Sequence, residues 1–309
     1  MVRRVVVALL VAATLVLAGV GTYSCAYPTP YVEKADVPVF KGEDTPLPET
    51  DEFAKLAETD PVGMLAACLA RYEKDAKGFR AVLAKRERLG GKLEEPEVVR
   101  VLCWGDVPGA DQKTQIRVRM IWEQGARKDL LKNAVRGTAY VEGANGDQIL
   151  TYRPTAIFLK DHNIDLKGPM ARDASRYCIK DAGLYRSMLR TYAAWKDRKE
   201  GGVLKTTYLG KRSVPELGGR VCYEVRRTCE KPEVDPFALD EQPPTDQKII
   251  DRDGFTEVTL LIDAERRLQI GTVLRRADGE LIGEYYFQDV ELVTTEFPPD
   301  TFTAAALRN

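Results

Sequence analysis

The sequence predicts an α+β protein dominated by antiparallel sheet. Two observations carry this. From Phe79 onward apolar residues alternate with polar ones at a period of two, through about ten candidate strands. Two stretches with helical spacing, one before the strands and one among them, accompany the sheet, without the strict strand–helix alternation of a parallel sheet. With 309 residues, the chain has ample length for a core after a targeting segment is set aside.

The N-terminus sets the compartment. Arg3 and Arg4 precede an apolar run, Val5 to Val20, that continues through Gly21, Thr22 and Tyr23. Two positive charges before such a run mark an export signal, and its length approaches the ~20 residues that cross a bilayer as a helix. Cys25 follows Thr22-Tyr23-Ser24. Three fates stay open: lipidation at Cys25, cleavage at Ser24-Cys25-Ala26, and retention as an anchor. Each places the remainder outside the cytoplasm, as a periplasmic, membrane-anchored or lipidated protein. The expected organisation is 1–25 signal or anchor, 26–58 tether and 59–309 folded domain. The tether assignment rests on Pro28, Pro30, Pro38, Pro46 and Pro48 among acidic residues, a composition that resists helix and sheet.

Asp60-Pro61 opens the first helix, with Asp as N-cap and Pro at the first helical position. Leu65, Cys68, Leu69 and Tyr72 form its apolar stripe. Strands are then expected over 98–104, 116–122, 138–141, 148–152 and 156–159. In the clearest, Ile116, Val118, Met120 and Trp122 share a face opposite Arg117 and Arg119. Gly90-Gly91 and Asn145-Gly146 supply turn residues that tolerate positive φ. A second helix over 181–199 presents Tyr185, Met188, Leu189, Tyr192 and Trp195. Sheet resumes over 203–210 and 220–229. The proline-rich stretch 231–247 is a long irregular loop, and three strands (256–262, 268–276, 281–292) close the chain around an Asp278-Gly279 turn.

Composition excludes several function classes. Lysine plus arginine number 46 against 47 acidic residues, so no basic surplus points to nucleic acid. His162 is the single histidine, set in a polar Asp-His-Asn loop, and the chain has no H-E-x-x-H, C-x-x-C, G-x-S-x-G or phosphate-binding glycine motif. No catalytic residue, metal site or cofactor is therefore expected. Five cysteines follow Cys25 (Cys68, Cys103, Cys178, Cys222 and Cys229), and the odd separation of the last two puts them on opposite faces of one strand. Asp251-Arg252-Asp253-Gly254 reads as a hairpin turn rather than a calcium loop. Lys85-Arg86-Glu87-Arg88 reads as a solvated sheet edge guarding against aggregation, with a patch for an anionic headgroup as the alternative.

The chain resembles a family of exported proteins with the LolA/LppX-type fold, a domain of unknown function frequent in planctomycete-like bacteria. The resemblance runs over about 60–303. It is carried by Met64-Leu65 to Tyr72, Phe79 to Leu93 with its Lys-Arg-Glu-Arg stretch, Tyr140-Val141-Glu142-Gly143, Leu261-Ile262-Asp263, Gly279-Glu280-Leu281 and Tyr286-Phe287-Gln288-Asp289-Val290. It implies a strongly curved antiparallel half-barrel with helices on its concave face, in which relatives hold lipoprotein acyl chains or glycolipids and others sense envelope stress. On that expectation the chain binds a lipid or lipoprotein acyl chain without catalysis. Trp104, Val118, Met120, Trp122, Tyr223, Tyr285 and Phe287 would line the hollow, and Met188 and Tyr192 would face it from a lid helix. The alternative is an envelope sensor or scaffold whose interior is filled by its own side chains.

Overall fold

The computed structural model describes residues 50–107, 115–126, 134–144, 146–156 and 160–308. The apolar N-terminal run, Cys25, most of the proline-rich segment, Asn145 and residues 157–159 lie outside the described residues.

Among the described residues twelve strands form one antiparallel sheet. They are β1 (Gly78–Leu89), β2 (Lys92–Leu93), β3 (Glu97–Trp104), β4 (Arg117–Gln124), β5 (Gly137–Val141), β6 (Gln148–Tyr152), β7 (Asp161–Asp165), β8 (Lys205–Val214), β9 (Arg220–Glu233), β10 (Phe255–Asp263), β11 (Gln269–Arg275) and β12 (Leu281–Val293). Among the described residues five α-helices accompany them: α1 (Thr50–Thr59), α2 (Pro61–Asp75), α3 (Pro169–Ala174), α4 (Leu184–Glu200) and α5 (Gln247–Asp253). The class is the expected α+β.

The strand order is β7-β6-β5-β4-β3-β1-β12-β11-β10-β9-β8, with β2 folded back on β1. Two meanders are thus joined along one seam, where the first long strand pairs with the last from Gly78↔Val293 to Glu87↔Gly283. The sheet is open, with β7 and β8 at its edges. At Gly90 and Gly91 the backbone takes φ of +57° and +84°, which a side chain would strain, and this lets β1 turn directly into β2.

The helix starting at Asp60 forms as its cap requires: the Asp60 carboxylate accepts from Gly63 N at 3.0 Å, and Leu65, Cys68, Leu69 and Tyr72 are buried. Three local expectations change. Residues Thr50–Thr59, at the end of the stretch read as resisting helix, are helical, and Phe53 packs its ring 5.0 Å from that of Tyr223. Asp251-Arg252-Asp253-Gly254 is the end of α5 and not a hairpin turn; Gly254 N closes the helix on Ile250 O at 2.8 Å. His162 lies on β7 opposite Thr151 rather than in a loop, because its neighbours' backbone groups complete the ladder to β6. The irregular stretch also begins later than expected. Strand β9 continues to Glu233, accommodating Pro232 at a register shift where a missing N–H breaks no ladder bond.

Helices α2 and α4 pack on the buried face of the sheet, with the Tyr72 and Tyr185 rings 5.9 Å apart. The N-terminus of α4 has no side-chain cap of its own. Its free amides are met by Asp106, just past β3, which accepts from Tyr185 N at 2.8 Å and Arg186 N at 3.4 Å. A side chain at Gly183 would overlap this carboxylate, since a Cβ there would sit 1.9 Å from Asp106 Oδ1. Asp106 is fully buried, and desolvation pushes it up to about 6 from its usual 3.8, against the lowering effect of those amides and of Arg186.

The linkage follows from that direction. Between about pH 4 and 6 the folded protein holds a proton that the unfolded chain has released. This contribution to stability is complete below about pH 4 and is lost as pH rises through about 6. Urea unfolding of wild type and Asp106→Asn across pH 4–8 should show the difference in stability between them changing over this window. A difference constant with pH would refute the assignment.

Candidate functional site

One cavity of about 200 Å³ opens between the sheet and the segments laid over it. Its floor runs across the strands. Ile164 of β7 and Ile149 of β6 lie toward one end, Met120 and Trp122 of β4 and Leu83 of β1 near the middle, and Val258 of β10 with Arg227 of β9 toward the other. Nine strand spacings of ~4.8 Å would separate β7 from β9 by roughly 40 Å on a flat sheet. Both line this one small hollow, so the sheet is strongly curved and the cavity occupies its concave side. The roof consists of Ala171 and Ala174 of α3, the segment around Tyr177, Ile179 and Ala182, and Thr191, Ala194 and Trp195 of α4. Alanines recur along this roof, and their small side chains leave the space that larger ones would fill.

An ionic network is set into the oily wall. On β1, Phe79, Ala81 and Leu83 point inward, and the same alternation carries Lys85 and Glu87 inward after them. Lys85 Nζ lies 2.7 Å from Glu87 and 3.7 Å from Glu97, all three buried. Glu87 also accepts from Tyr285 Oη at 2.8 Å, Ser175 Oγ at 3.3 Å and Arg176 N at 3.3 Å. Glu97 accepts from Trp122 Nε1 at 2.6 Å. On the roof, Arg190 pairs with Asp181 at 2.9 Å and stacks 4.3 Å from the Tyr177 ring, whose hydroxyl donates to Asp235 at 2.6 Å. Burial raises the Tyr285 and Tyr177 hydroxyls well above the ordinary phenol range, so both remain donors at neutral pH.

Of the residues expected to line the hollow, the structure brings together Met120, Trp122, Tyr285 and Phe287. Val118 and Met188 are sealed in the core beside it, with no face on the cavity. Tyr192 packs against the core's margin, one residue from the lining Thr191. Tyr223 is buried under α1, flanked by Phe53 and Tyr208. Trp104 is on the opposite face of the sheet. Val99, Val101 and Cys103 take the inward positions of β3, and Trp104 meets Phe297 of the C-terminal tail at 6.3 Å between ring centroids. Aromatic size does not distinguish the two faces; strand parity does.

Sequence reasoning missed Lys85, Glu87, Arg190, Asp181, Thr138 and Gln269. The Lys-Arg-Glu-Arg stretch is not a solvated edge, because β1 is a central strand paired on both sides, and only Arg86 and Arg88 turn away from the cavity. The signal was available in parity: from Leu83 a period of two leads to Lys85 and Glu87.

Among the described residues no group of three His, Cys, Asp or Glu is placed to hold a metal ion, and His162 is held below its usual range by burial and the nearby Arg153 charge. The five described cysteines are unpaired; burial pushes Cys68, Cys178 and Cys222 up to about 12 and Cys229 to about 11, so these four are thiols rather than thiolates at neutral pH. No helix among the described residues is long and apolar enough to cross a membrane.

The family model described as protein of unknown function, DUF1571, matches residues 76–248, more than half of the 309. The chain belongs to this family. The DUF1571 match begins just before β1 and ends within α5, so it takes in most of the roof and all of the first meander. It leaves out β12, the strand that β1 needs on its other side. No curated protein matches the chain in sequence.

Solved structures similar to it are remote. MucB is 12% identical with a TM-score of 0.43 over 80% of this chain; the chain spans 63% of MucB's length, under two thirds of it. The lipoprotein LppX of Mycobacterium tuberculosis is 12% identical, with a TM-score of 0.35 over 77% of this chain and 100% of LppX. A LolA superfamily protein from Nitrosomonas europaea is 11% identical, with a TM-score of 0.30 over 78% of this chain and 97% of that one. Likenesses this distant carry no ligand or partner from one protein to another.

The wall network gives a stability prediction. Glu87→Leu leaves Lys85 with the more distant Glu97 and strips the Tyr285 hydroxyl of its acceptor, and should cost roughly 3–5 kcal/mol. The double variant Lys85→Met/Glu87→Leu removes both charges and should recover part of that loss in urea denaturation. Equal losses in single and double variants would show that the two charges do not act as a pair.

Proposed function

We propose that this protein binds a lipid or lipoprotein acyl chain in the cell envelope, outside the cytoplasm, without catalysing a reaction. The observation that carries the reading is the cavity on the concave face, walled by Leu83, Met120, Trp122, Ile149, Val258 and Phe287, under a roof in which Ala171, Ala174, Ala182 and Ala194 leave space. At about 24 cal/mol per Å³, keeping such a volume empty and dry would cost up to about 5 kcal/mol. An aliphatic guest reverses the sign, since each buried methylene contributes about 0.8 kcal/mol. The volume lies below the ~300–1,000 Å³ of pockets for drug-sized ligands, so it suits one chain segment, and a bulkier lipid requires the roof to lift. Such lifting is a shift between closed and open populations that the guest itself drives.

Export is part of the same proposal. The basic pair Arg3-Arg4 and the apolar run after it support delivery across a membrane, and retention or lipidation there would hold the protein beside its ligand's source. A tethered binder suits stationary holding or sensing more than carriage between membranes. A scaffold with a filled interior is the competing reading, and the hollow weighs against it.

Denaturing organic extraction of the purified full-length protein, followed by lipid mass spectrometry, should yield about one acyl-bearing molecule per chain. Ala194→Trp, which fills the roof from α4, should lower that yield at least tenfold while the melting transition stays cooperative. A wild-type protein that carries no lipid, and takes none from vesicles, would overturn the reading.

A further inference from the structure

The polar part of the lining narrows what the guest can be, and this step rests on the acyl-chain reading above. Three cations border the cavity, and each is already neutralised: Lys85 by Glu87 and Glu97, Arg190 by Asp181, and Arg227 by Glu233. A fatty-acid carboxylate or a phosphate brought inside would find no uncommitted positive charge there. It would also meet the field of Glu87, Asp181 and Asp235. Burying an unpaired anion is strongly unfavourable. An alkylammonium has the converse difficulty, because it must approach Arg190 and Lys85 to reach those carboxylates.

Polar atoms without partners occur in the same lining. Gln269 Oε1, Asp181 Oδ1, Thr138 Oγ1 and Arg190 Nε are closed to solvent and make no hydrogen bond. Their side chains are more than nine-tenths buried, at 4%, 2%, 8% and 8% exposure. Each such group forfeits a hydrogen bond that a suitable partner would restore. Two of the four are pure acceptors, one is a pure donor, and the threonine hydroxyl is both. Asp181 and Arg190, already paired at 2.9 Å, offer an unused acceptor and an unused donor on one ion pair. A hydroxyl donates and accepts with no charge of its own, and so does a secondary amide. A carboxylate only accepts, and an ammonium only donates.

We infer that the cavity selects a neutral lipid bearing a hydroxyl or amide next to its aliphatic chain, and rejects the fatty-acid anion. Discrimination comes from the Gln269, Thr138 and Asp181–Arg190 positions, while the apolar wall supplies affinity common to all chains of one length.

Trp122 and Trp195 line the cavity and give the readout. Lipid-stripped full-length protein is titrated at pH 8 with 1-monopalmitoylglycerol, palmitate and hexadecylamine below their aggregation concentrations, following tryptophan fluorescence. The monoacylglycerol should bind at least tenfold more tightly than either ion, and Gln269→Met with Thr138→Val should narrow that ratio to about threefold. Equal affinities, or palmitate favoured, would overturn this inference and leave acyl-chain binding standing. Binding of none of the three, together with no co-purified lipid, would instead sink the acyl-chain reading. Should the double variant fail to fold, the wild-type ratio alone decides.

Discussion

The structure depends on the seam between β1 and β12. Each meander is built from local hairpins, yet neither can enclose a core alone, because its buried face needs the other half and the helices to cover it. Joining the first long strand to the last closes the largest loop in the fold, an entropic cost that a long ladder and a continuous inward stripe must offset. Along the seam, Phe79 sets its ring against Phe287 at 6.0 Å, edge to face, and Glu87 takes the Tyr285 hydroxyl. A register shift near Ala81, with Asp289 at a φ of +49°, bends the ladder at its middle. Position on this seam is what buries the second half of β1.

Curvature follows from joining the halves, and the cavity follows from curvature. Strands as far apart as β7 and β9 face a common space, which α4 and the segments before it cover but do not fill. The roof is held at its N-terminal end by Asp106, which belongs to the end of β3 and not to the roof. This places the first turn of α4 against a buried carboxylate whose charge costs more than it would in water. At its other end the helix is tied by Arg198 to Glu233 at 3.2 Å and by Lys199 to Asp60 at 2.9 Å, and between the two it presents Arg190, Thr191, Ala194 and Trp195 to the hollow.

Most of the fold could be read from period and punctuation. Alternation located β3, β4 and β10 to β12 to within a few residues, and the Asp60-Pro61 cap located α2. Two features escaped for physical reasons. Proline and acid content argued against helix before residue 59, yet Phe53 and Ala57 are buried against the sheet, and that tertiary packing outweighs composition. The Lys85–Arg88 charges were read as a block rather than as two alternating pairs, since a run of four charges looks like surface until the strand's neighbours are known. The site was less legible than the fold. Large apolar residues on inward positions divide between core and lining according to what lies across from them, and one chain's periodicity does not encode that. Trp104 shows the simpler error: its parity with Leu102 and Arg100 assigns it to the outer face, where Phe297 covers it.

The ionic network raises the question of why a largely apolar wall contains charge at all. Replacing Lys85, Glu87 and Glu97 with apolar residues of similar volume would remove a desolvation cost that buried pairs rarely recover in full. It would also remove what fixes the wall. Glu87 gathers Lys85, Ser175, Arg176 N and the Tyr285 hydroxyl onto one carboxylate, so the floor of the hollow and the segment roofing it are tied by directional bonds as well as by the Tyr177–Tyr285 ring contact at 5.5 Å. An apolar contact between floor and roof would serve a filled core equally well, and would tend to draw the two together until the space closed. Hydrogen bonds of fixed length hold them at a distance. The Glu87 carboxylate and its four partners therefore set the distance between floor and roof on one side of the open cavity.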